Sequence, residues 1–207
     1  MKGRKELLFE RQRNRTSDHW TRKEVPRVRI RNSLEFLREF VSRSEPCIVV
    51  GAIEDWKAFE RWNGRGDYLK SKLKSTKVSV NITPNGLGDA ILDDDKFVMP
   101  MEERMTFEDF MNELRSDDAT RRIVYLSHQN DSFRTQFQAL KDDIPESVCF
   151  ATEAFGCEPD AVNLWIGDER SVTSLHKDHY ENMYVVHSYL NSLLHTTNNK
   201  ISQVRSD

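Results

Sequence analysis

The spacing of apolar positions changes several times along the chain, and each change marks an element. In RNSLEFLREFV, Phe36, Leu37, Phe40 and Val41 keep helical spacing behind an Asn32/Glu35 capping pair, and Pro46 closes the segment. CIVVGAI is a short β-branched run that suits a buried strand, while EDWKAFERW and DYLKSKLK read as short amphipathic helices. KVSVNIT alternates over Val78, Val80 and Ile82, as a half-buried strand does, and PNG then turns the chain. Thr106 and Asp109 open another helix, with Phe107, Phe110, Met111 and Leu114 on one face. RRIVYLSH predicts a strand and DSFRTQFQALKDD a helix. DAVNLWIG and SVTSLHKD predict two more strands separated by a turn at GDER, near residues 160–166 and 171–178, and NMYVV starts a third over 182–186.

Beyond Val186 the pattern lapses. HSYLNSLLHTTNNKISQVRSD is rich in Ser, Thr and Asn, holds no period, and offers no turn chemistry leading to a further strand, so it reads as a tail. Helices come mainly early and strands late, which predicts an α+β protein over a doubly wound parallel sheet. The expected organisation is a basic, flexible leader over 1–31, a domain over 32–186 and a divergent polar tail over 187–207.

Composition adds bounds to this picture. A chain of 207 residues with 37% hydrophobic content suits one domain, and no run approaches the ~20 apolar residues that span a bilayer. The first residues lack an apolar stretch after their positive charges, which argues against a secretory signal. Cys47, Cys149 and Cys157 form no C-x-x-C pair and read as reduced thiols, so a cytoplasmic protein is expected, with a nuclear fraction as an option. The net charge of -3 hides an asymmetry: residues 1–32 carry eleven Lys/Arg against four Asp/Glu. Such an arm suits an acidic partner or nucleic acid, but a solvated leader explains it as well, and no nucleic-acid or membrane partner is expected.

The densest chemistry lies in TSLHKDHYEN. On a strand, residues two apart share a side, so His176 and Asp178 would offer a nitrogen and an oxygen to one point. Fe(II) accepts that mixed donor set in the two-His-one-carboxylate facial triad, which leaves open positions for a bidentate 2-oxo acid and dioxygen. The bare tripeptide is a weak signal, because a His near an Asp is usually a solvated pair.

The wider context is stronger. SLEFLREFVSRSEPCIVVGAIEDWKAFERW, TKVSVNITPNGLGDAI, FVMPMEERMTFEDF, YLSHQN and FATEAFGCEPDAVNLWIGDERSVTSLHKDHYENMYVV occur in the order and spacing of the Jumonji-C hydroxylases of the cupin superfamily, which the chain resembles from Asn32 to Val186. The resemblance implies an N-terminal helix and strand region leading into a double-stranded β-helix, the cupin or jelly-roll core. It implies Fe(II) and 2-oxoglutarate as cofactors, with His176 and Asp178 as the first two iron ligands. Thr173 and Tyr125 match positions that bind the distal carboxylate of 2-oxoglutarate, Asn182 matches a polar residue of the same pocket, and Tyr184 is a further candidate there. Without the resemblance, plain β-propensity would explain Thr173 and Tyr125. His179 is expected to face the other way on its strand. The implied activity is hydroxylation of a protein lysyl side chain, with GTPases of the developmentally regulated GTP-binding type as substrates.

The family pattern then breaks. A Ser-Gly-x-Lys segment, whose lysine pairs with the oxo acid, should follow YENMYVV, but HSYLNSLL stands there. The family's second His ligand lies roughly a hundred residues past the Asp, and only 29 residues follow Asp178 here. His187, His195 and Lys200 are the candidates for substitutes, each read as a solvated tail residue. The expectation is therefore an incomplete jelly roll and a chain inactive by itself, a C-terminally truncated member of its family. The alternative is a non-catalytic binding or dimerisation module, a homodimer included. A zinc hydrolase built on His176, Asp178 and His179 ranks below these, since no H-E-x-x-H base is present, and histone demethylation ranks below hydroxylation.

Overall fold

The computed structural model describes residues 24–62, 66–88, 90–92, 96–173, 176, 178–187 and 192–205. Most of the basic leader, residues 1–23, lies outside the described residues. Strand β1 (Arg27–Val28) precedes helix α1 (Ser33–Phe36), which continues as a π-helical turn over Leu37–Val41. The capping pair forms as expected: the Asn32 side chain accepts from the Glu35 N–H at 2.9 Å, and Glu35 reaches back to the Arg31 N–H at 2.9 Å. Strand β2 (Ile48–Val50) and helices α2 (Lys57–Arg61) and α3 (Asp67–Leu73) follow.

Strand β3 (Lys77–Thr83) buries Val78, Val80 and Ile82, as its alternation predicts. Gly86, in the PNG turn, has φ +85, and an added Cβ would lie 1.9 Å from the Arg170 carbonyl oxygen. The turn therefore needs glycine on two counts, its backbone conformation and its close approach. Strands β4 (Leu87–Gly88), β5 (Ala90–Leu92), β6 (Lys96–Val98) and β7 (Met101–Thr106) were not legible in the sequence, because they are short and do not alternate cleanly. Thr106 caps helix α4 (Phe107–Leu114) by accepting from the Asp109 N–H at 3.0 Å, and the expected face is buried.

After strand β8 (Ile123–Tyr125) the expected long helix is two short pieces, α5 (Ser132–Thr135) and a 3₁₀ turn over Gln138–Leu140, followed by helix α6 (Cys149–Phe155). Strand β9 (Ala161–Ile166) matches its prediction. Of the strand expected over 171–178, Val172–Thr173 forms β10, paired with the two residues of β4, and the expectation is corrected at His176 and Asp178, which are not in a strand, while residues 174, 175 and 177 lie outside the described residues. His176 and Asp178 thus lie beyond a strand end, and the alternation used to aim His179 away does not apply. Strand β11 spans Glu181–His187. The tail is also corrected, since Ser192–Arg205 forms strand β12, antiparallel to β11 and β9 and parallel to β2. Its partners supply the backbone ladder that its polar sequence does not advertise.

The result is mixed helix and strand, with a five-stranded sheet (β1-β2-β12-β11, with β9 on β12) and a three-stranded sheet (β7-β3-β8) that do not close into a barrel. Phe36, Phe107, Phe110, Phe137, Leu140, Leu164 and Ile166 pack fully buried in one core. Cys47 is buried, while Cys149 and Cys157 are exposed. No helix among the described residues is long and apolar enough to cross a membrane.

Buried Asp143 ties the helices together. Its carboxylate accepts from Arg61 Nη1 at 2.6 Å, Trp62 Nε1 at 2.9 Å and Tyr68 Oη at 3.0 Å, and its carbonyl accepts from the Ala58 N–H at 2.8 Å. Removing this acceptor takes a partner from the buried Trp62 indole and from the more exposed Arg61 and Tyr68 at once. Asp143→Ala should therefore cost about 3 kcal/mol in urea unfolding, against about 1 kcal/mol for the cap variant Thr106→Ala. Equal losses in the two variants would mean that the Asp143 hub contributes no more than a cap.

Candidate functional site

The site forms where β8, β9 and β10 converge. Leu126, just past β8, exchanges backbone hydrogen bonds with Ile166 at 2.9 and 2.8 Å, which joins the three-stranded sheet to β9. This sets Tyr125 edge-on to Trp165, with ring centroids 6.3 Å apart and planes at 81°. Gly167 permits the approach: a Cβ there would lie 2.7 Å from Tyr125 Cδ2 and 2.9 Å from Ser171 Oγ. Thr173 shares a side-chain hydrogen bond with Tyr125, so β10 is fastened to β8 at the residue three before His176.

His176 and Asp178 come together. His176 Nε2 lies 3.3 Å from Asp178 Oδ1, and the two side chains are 53% and 38% exposed. Asn182, at the start of β11 and only 2% exposed, donates from Nδ2 to Asp178 Oδ2 at 2.6 Å. One carboxylate oxygen is thereby anchored to the fold, while the other faces the imidazole. The Asn182 Oδ1 is buried with no hydrogen-bond partner among the described residues. An orphaned acceptor beside a carboxylate is a polar vacancy suited to a donor-bearing ligand or an ordered water. Tyr184 follows two residues later on the same strand and is partly buried.

Burial raises the Tyr125 phenol above its ordinary value, an effect partly offset by the hydrogen bond with Thr173. Burial also raises Tyr184, and the neighbouring Tyr125 adds to the rise. Both rings remain neutral hydrogen-bond donors through the physiological range.

Sequence reasoning missed the clasp behind the site. Asp168 accepts from Arg121 Nη1 at 2.7 Å and from Arg170 Nη2 at 2.9 Å, and Arg170 also reaches the Arg121 and Arg122 carbonyls. Burial opposes ionisation of Asp168, but the hydrogen bonds from Arg170 and Arg121 outweigh it and hold the carboxyl below its usual value. Within GDER these charges look like an ordinary turn, and only the fold brings Arg121 to them.

Among the described residues no cluster of three His, Cys, Asp or Glu side chains is arranged to hold a metal ion. His176 and Asp178 supply two donors of the right kind, and among the described residues no third His, Cys, Asp or Glu completes a set with them. His187 ends β11, and His195 lies in β12 in register with Tyr184 and Asn163. Lys200 is in register with Glu181.

Comparison with known proteins bears on the family of the chain. The cupin-like domain family matches residues 33–188. The chain belongs to that family, in its Jumonji-C branch. It is 43% identical over 155 residues to "Lysine-specific demethylase JMJ32" of Arabidopsis thaliana, covering 74% of this chain and 45% of that protein. It is 39% identical over 176 residues to "JmjC domain-containing protein E" of Dictyostelium discoideum, covering 79% and 49%. It is 38% identical over 153 residues to the human "Bifunctional peptidase and (3S)-lysyl hydroxylase JMJD7", covering 74% and 48%. The chain spans about half the length of these curated relatives. The family accounts for the open sheets as parts of a jelly-roll core.

The tyrosine shifts have a definite sign. A folded-state pKa above the unfolded value near 10 gives stability that is fully present below pH 10 and is lost as the pH rises through the folded value. Spectrophotometric titration should find both phenols ionising late, coincident with alkaline unfolding, and Tyr125→Phe or Tyr184→Phe should shallow that loss. Titration of all five tyrosines near pH 10 in folded protein would contradict the burial of this pocket.

Proposed function

We propose that this chain carries the first half of an Fe(II)- and 2-oxoglutarate-dependent site of the protein lysyl hydroxylase type. The observation that carries the reading is the His176–Asp178 pair, held at 3.3 Å with Asn182 anchoring the carboxylate. The donor set fits iron in kind: one imidazole nitrogen and one carboxylate oxygen are two parts of the facial triad. His176 and Asp178 would hold the metal. Tyr125 and Thr173 would meet the far carboxylate of the oxo acid, with Asn182 and Tyr184 lining its pocket. When bound, the iron and oxo acid supply oxidative decarboxylation coupled to hydroxylation of an unactivated C–H bond.

The protein's own part is positional. Asn182 fixes one Asp178 oxygen and leaves the other facing His176. The Tyr125–Trp165 contact and the Asp168 clasp hold the pocket wall. Neutral Tyr125 and Tyr184 can donate to an anionic ligand. The proposed substrate is a lysyl side chain of a protein, with GTPases of the developmentally regulated GTP-binding type as the first to try, in the cytoplasm.

With two donors among the described residues, this chain by itself is proposed to bind iron weakly and not to turn over. A second reading, oxidation of an N-methyl group on lysine, draws support from the demethylase name of the Arabidopsis relative, and it would use the same residues.

Anaerobic titration with Fe(II) and 2-oxoglutarate tests the site, read by the weak visible charge-transfer band and by direct metal-binding calorimetry. The expected result is weak binding, no band at equimolar iron, and loss of binding in both His176→Ala and Asp178→Ala. A band at equimolar iron that both substitutions abolish would overturn the inactivity. Binding indifferent to both substitutions would overturn the metal assignment.

A further inference from the structure

The PNG turn holds the only Asn-Gly peptide among the described residues, and its setting favours a reaction particular to that pair. Asn85 is exposed, and its Oδ1 accepts from the Leu87 N–H at 3.2 Å. This Asx turn folds the side chain back along the Asn85–Gly86 peptide. The Gly86 N–H donates to no acceptor among the described residues, and glycine has no side chain to shield that nitrogen. Other asparagines lack the combination. Asn32 precedes Ser33 and caps a helix, Asn81 sits in β3 and donates to Ser127 Oγ at 2.8 Å, and Asn163 and Asn182 are buried.

We propose that Asn85 is a site of spontaneous deamidation, and that its isoaspartyl product opens the β4–β10 ladder leading to the candidate site. The Gly86 nitrogen gives its proton to a solvent base and attacks Asn85 Cγ. The Cγ–Nδ2 bond breaks and ammonia leaves into solvent. The product is a five-membered succinimide, which forms without lengthening the main chain. Water then adds to one of the two imide carbonyls and breaks its bond to nitrogen. Opening at Cγ gives aspartate, whereas opening at the former main-chain carbonyl routes the chain through Cβ and Cγ as isoaspartate. Water enters, ammonia leaves, and nothing is oxidised or reduced.

The fold treats the two products differently. Aspartate keeps the main chain and an oxygen able to accept from Leu87. Isoaspartate inserts one carbon into the main chain directly before Gly86, where there is no slack. Gly86 has φ +85, and even a Cβ there would lie 1.9 Å from the Arg170 carbonyl oxygen. Its own carbonyl accepts from the Val172 N–H at 2.8 Å, and Leu87 and Gly88 pair with Val172 and Thr173. The added carbon displaces that carbonyl, so Val172 loses its acceptor and β10 its ladder. Thr173 is the next residue and is fastened to Tyr125, so the change reaches the pocket wall. This modification goes beyond the hydroxylase reading, and its test involves no iron, so either can fail alone.

The full chain is incubated folded in mildly alkaline buffer, digested with trypsin and followed by mass spectrometry. Electron-transfer fragmentation distinguishes isoaspartate from aspartate. Cleavage after Lys77 and Lys96 separates Asn85 from the Asn63–Gly64 pair. The mass gain should localise to Asn85, with isoaspartate the major product, and should be lost in Asn85→Gln. Amide hydrogen exchange of the converted chain should show loss of protection at Val172, with Leu164 unchanged. Asn85→Asp should keep Val172 protected, because it adds the charge without the extra carbon. An unconverted Asn85 under conditions that convert the isolated peptide of residues 78–96 would overturn the proposal. Isoaspartate that leaves Val172 protected would do the same. So would loss of protection in Asn85→Asp, because charge and not main-chain length would then open the ladder.

Discussion

The two sheets are joined at one narrow seam, and the candidate site depends on it. Strand β9 pairs with β12 along one edge, and its other edge would expose unpaired N–H groups in the interior. Side chains fill that need. Asp131 Oδ1 accepts from the Val162 N–H at 2.7 Å, Ser132 Oγ accepts from the Leu164 N–H at 3.3 Å, and buried Asn163 accepts from the Ser132 N–H at 3.0 Å. The Leu126–Ile166 bridge completes the edge. An unsatisfied buried donor costs more than a hydrogen bond contributes, so this edge tolerates no slippage. Tyr125 and Trp165 are the immediate neighbours of the bridging residues, and their meeting follows from it.

From that seam the pocket wall is built outward by close approach and charge. Gly167 leaves room for Tyr125, Thr173 is fastened to its phenol, and Asp168 gathers two arginines behind the turn. These contacts hold the chain as far as Thr173. Beyond it, Asn182 reaches back to Asp178 from β11. The two metal-type donors therefore sit between two anchored elements, although neither is itself on a strand. Each anchor acts through a polar group held in a low-dielectric setting, where hydrogen bonds direct geometry strongly.

The same arrangement relates the site to an apolar groove lined by Leu87, Met99 and Met101. Both share the short β4–β10 ladder, with the arginine clasp on the groove side and the His176–Asp178 pair beyond Thr173.

Much was legible from local rules. The Asn32 and Thr106 caps, the alternation of Val78, Val80 and Ile82, the buried face of Phe107 to Leu114 and the run AVNLWI are each governed by neighbours within a few residues, so periodicity and capping chemistry determine them. The family was legible as well, through the order of segments shared with the cupin-like domain. Other features depend on partners far away in the chain. The place of β10 depends on its pairing with β4, the β12 strand on ladders to β2, β9 and β11, and the Asp168 clasp on Arg121, 47 residues earlier. No local pattern encodes such pairings, because a hydrogen bond across the fold leaves no period in the sequence. Residue identity and spacing alone determined which groups this protein has for chemistry; the tertiary structure decided how they are held, through the unpaired edges and buried charges it had to satisfy.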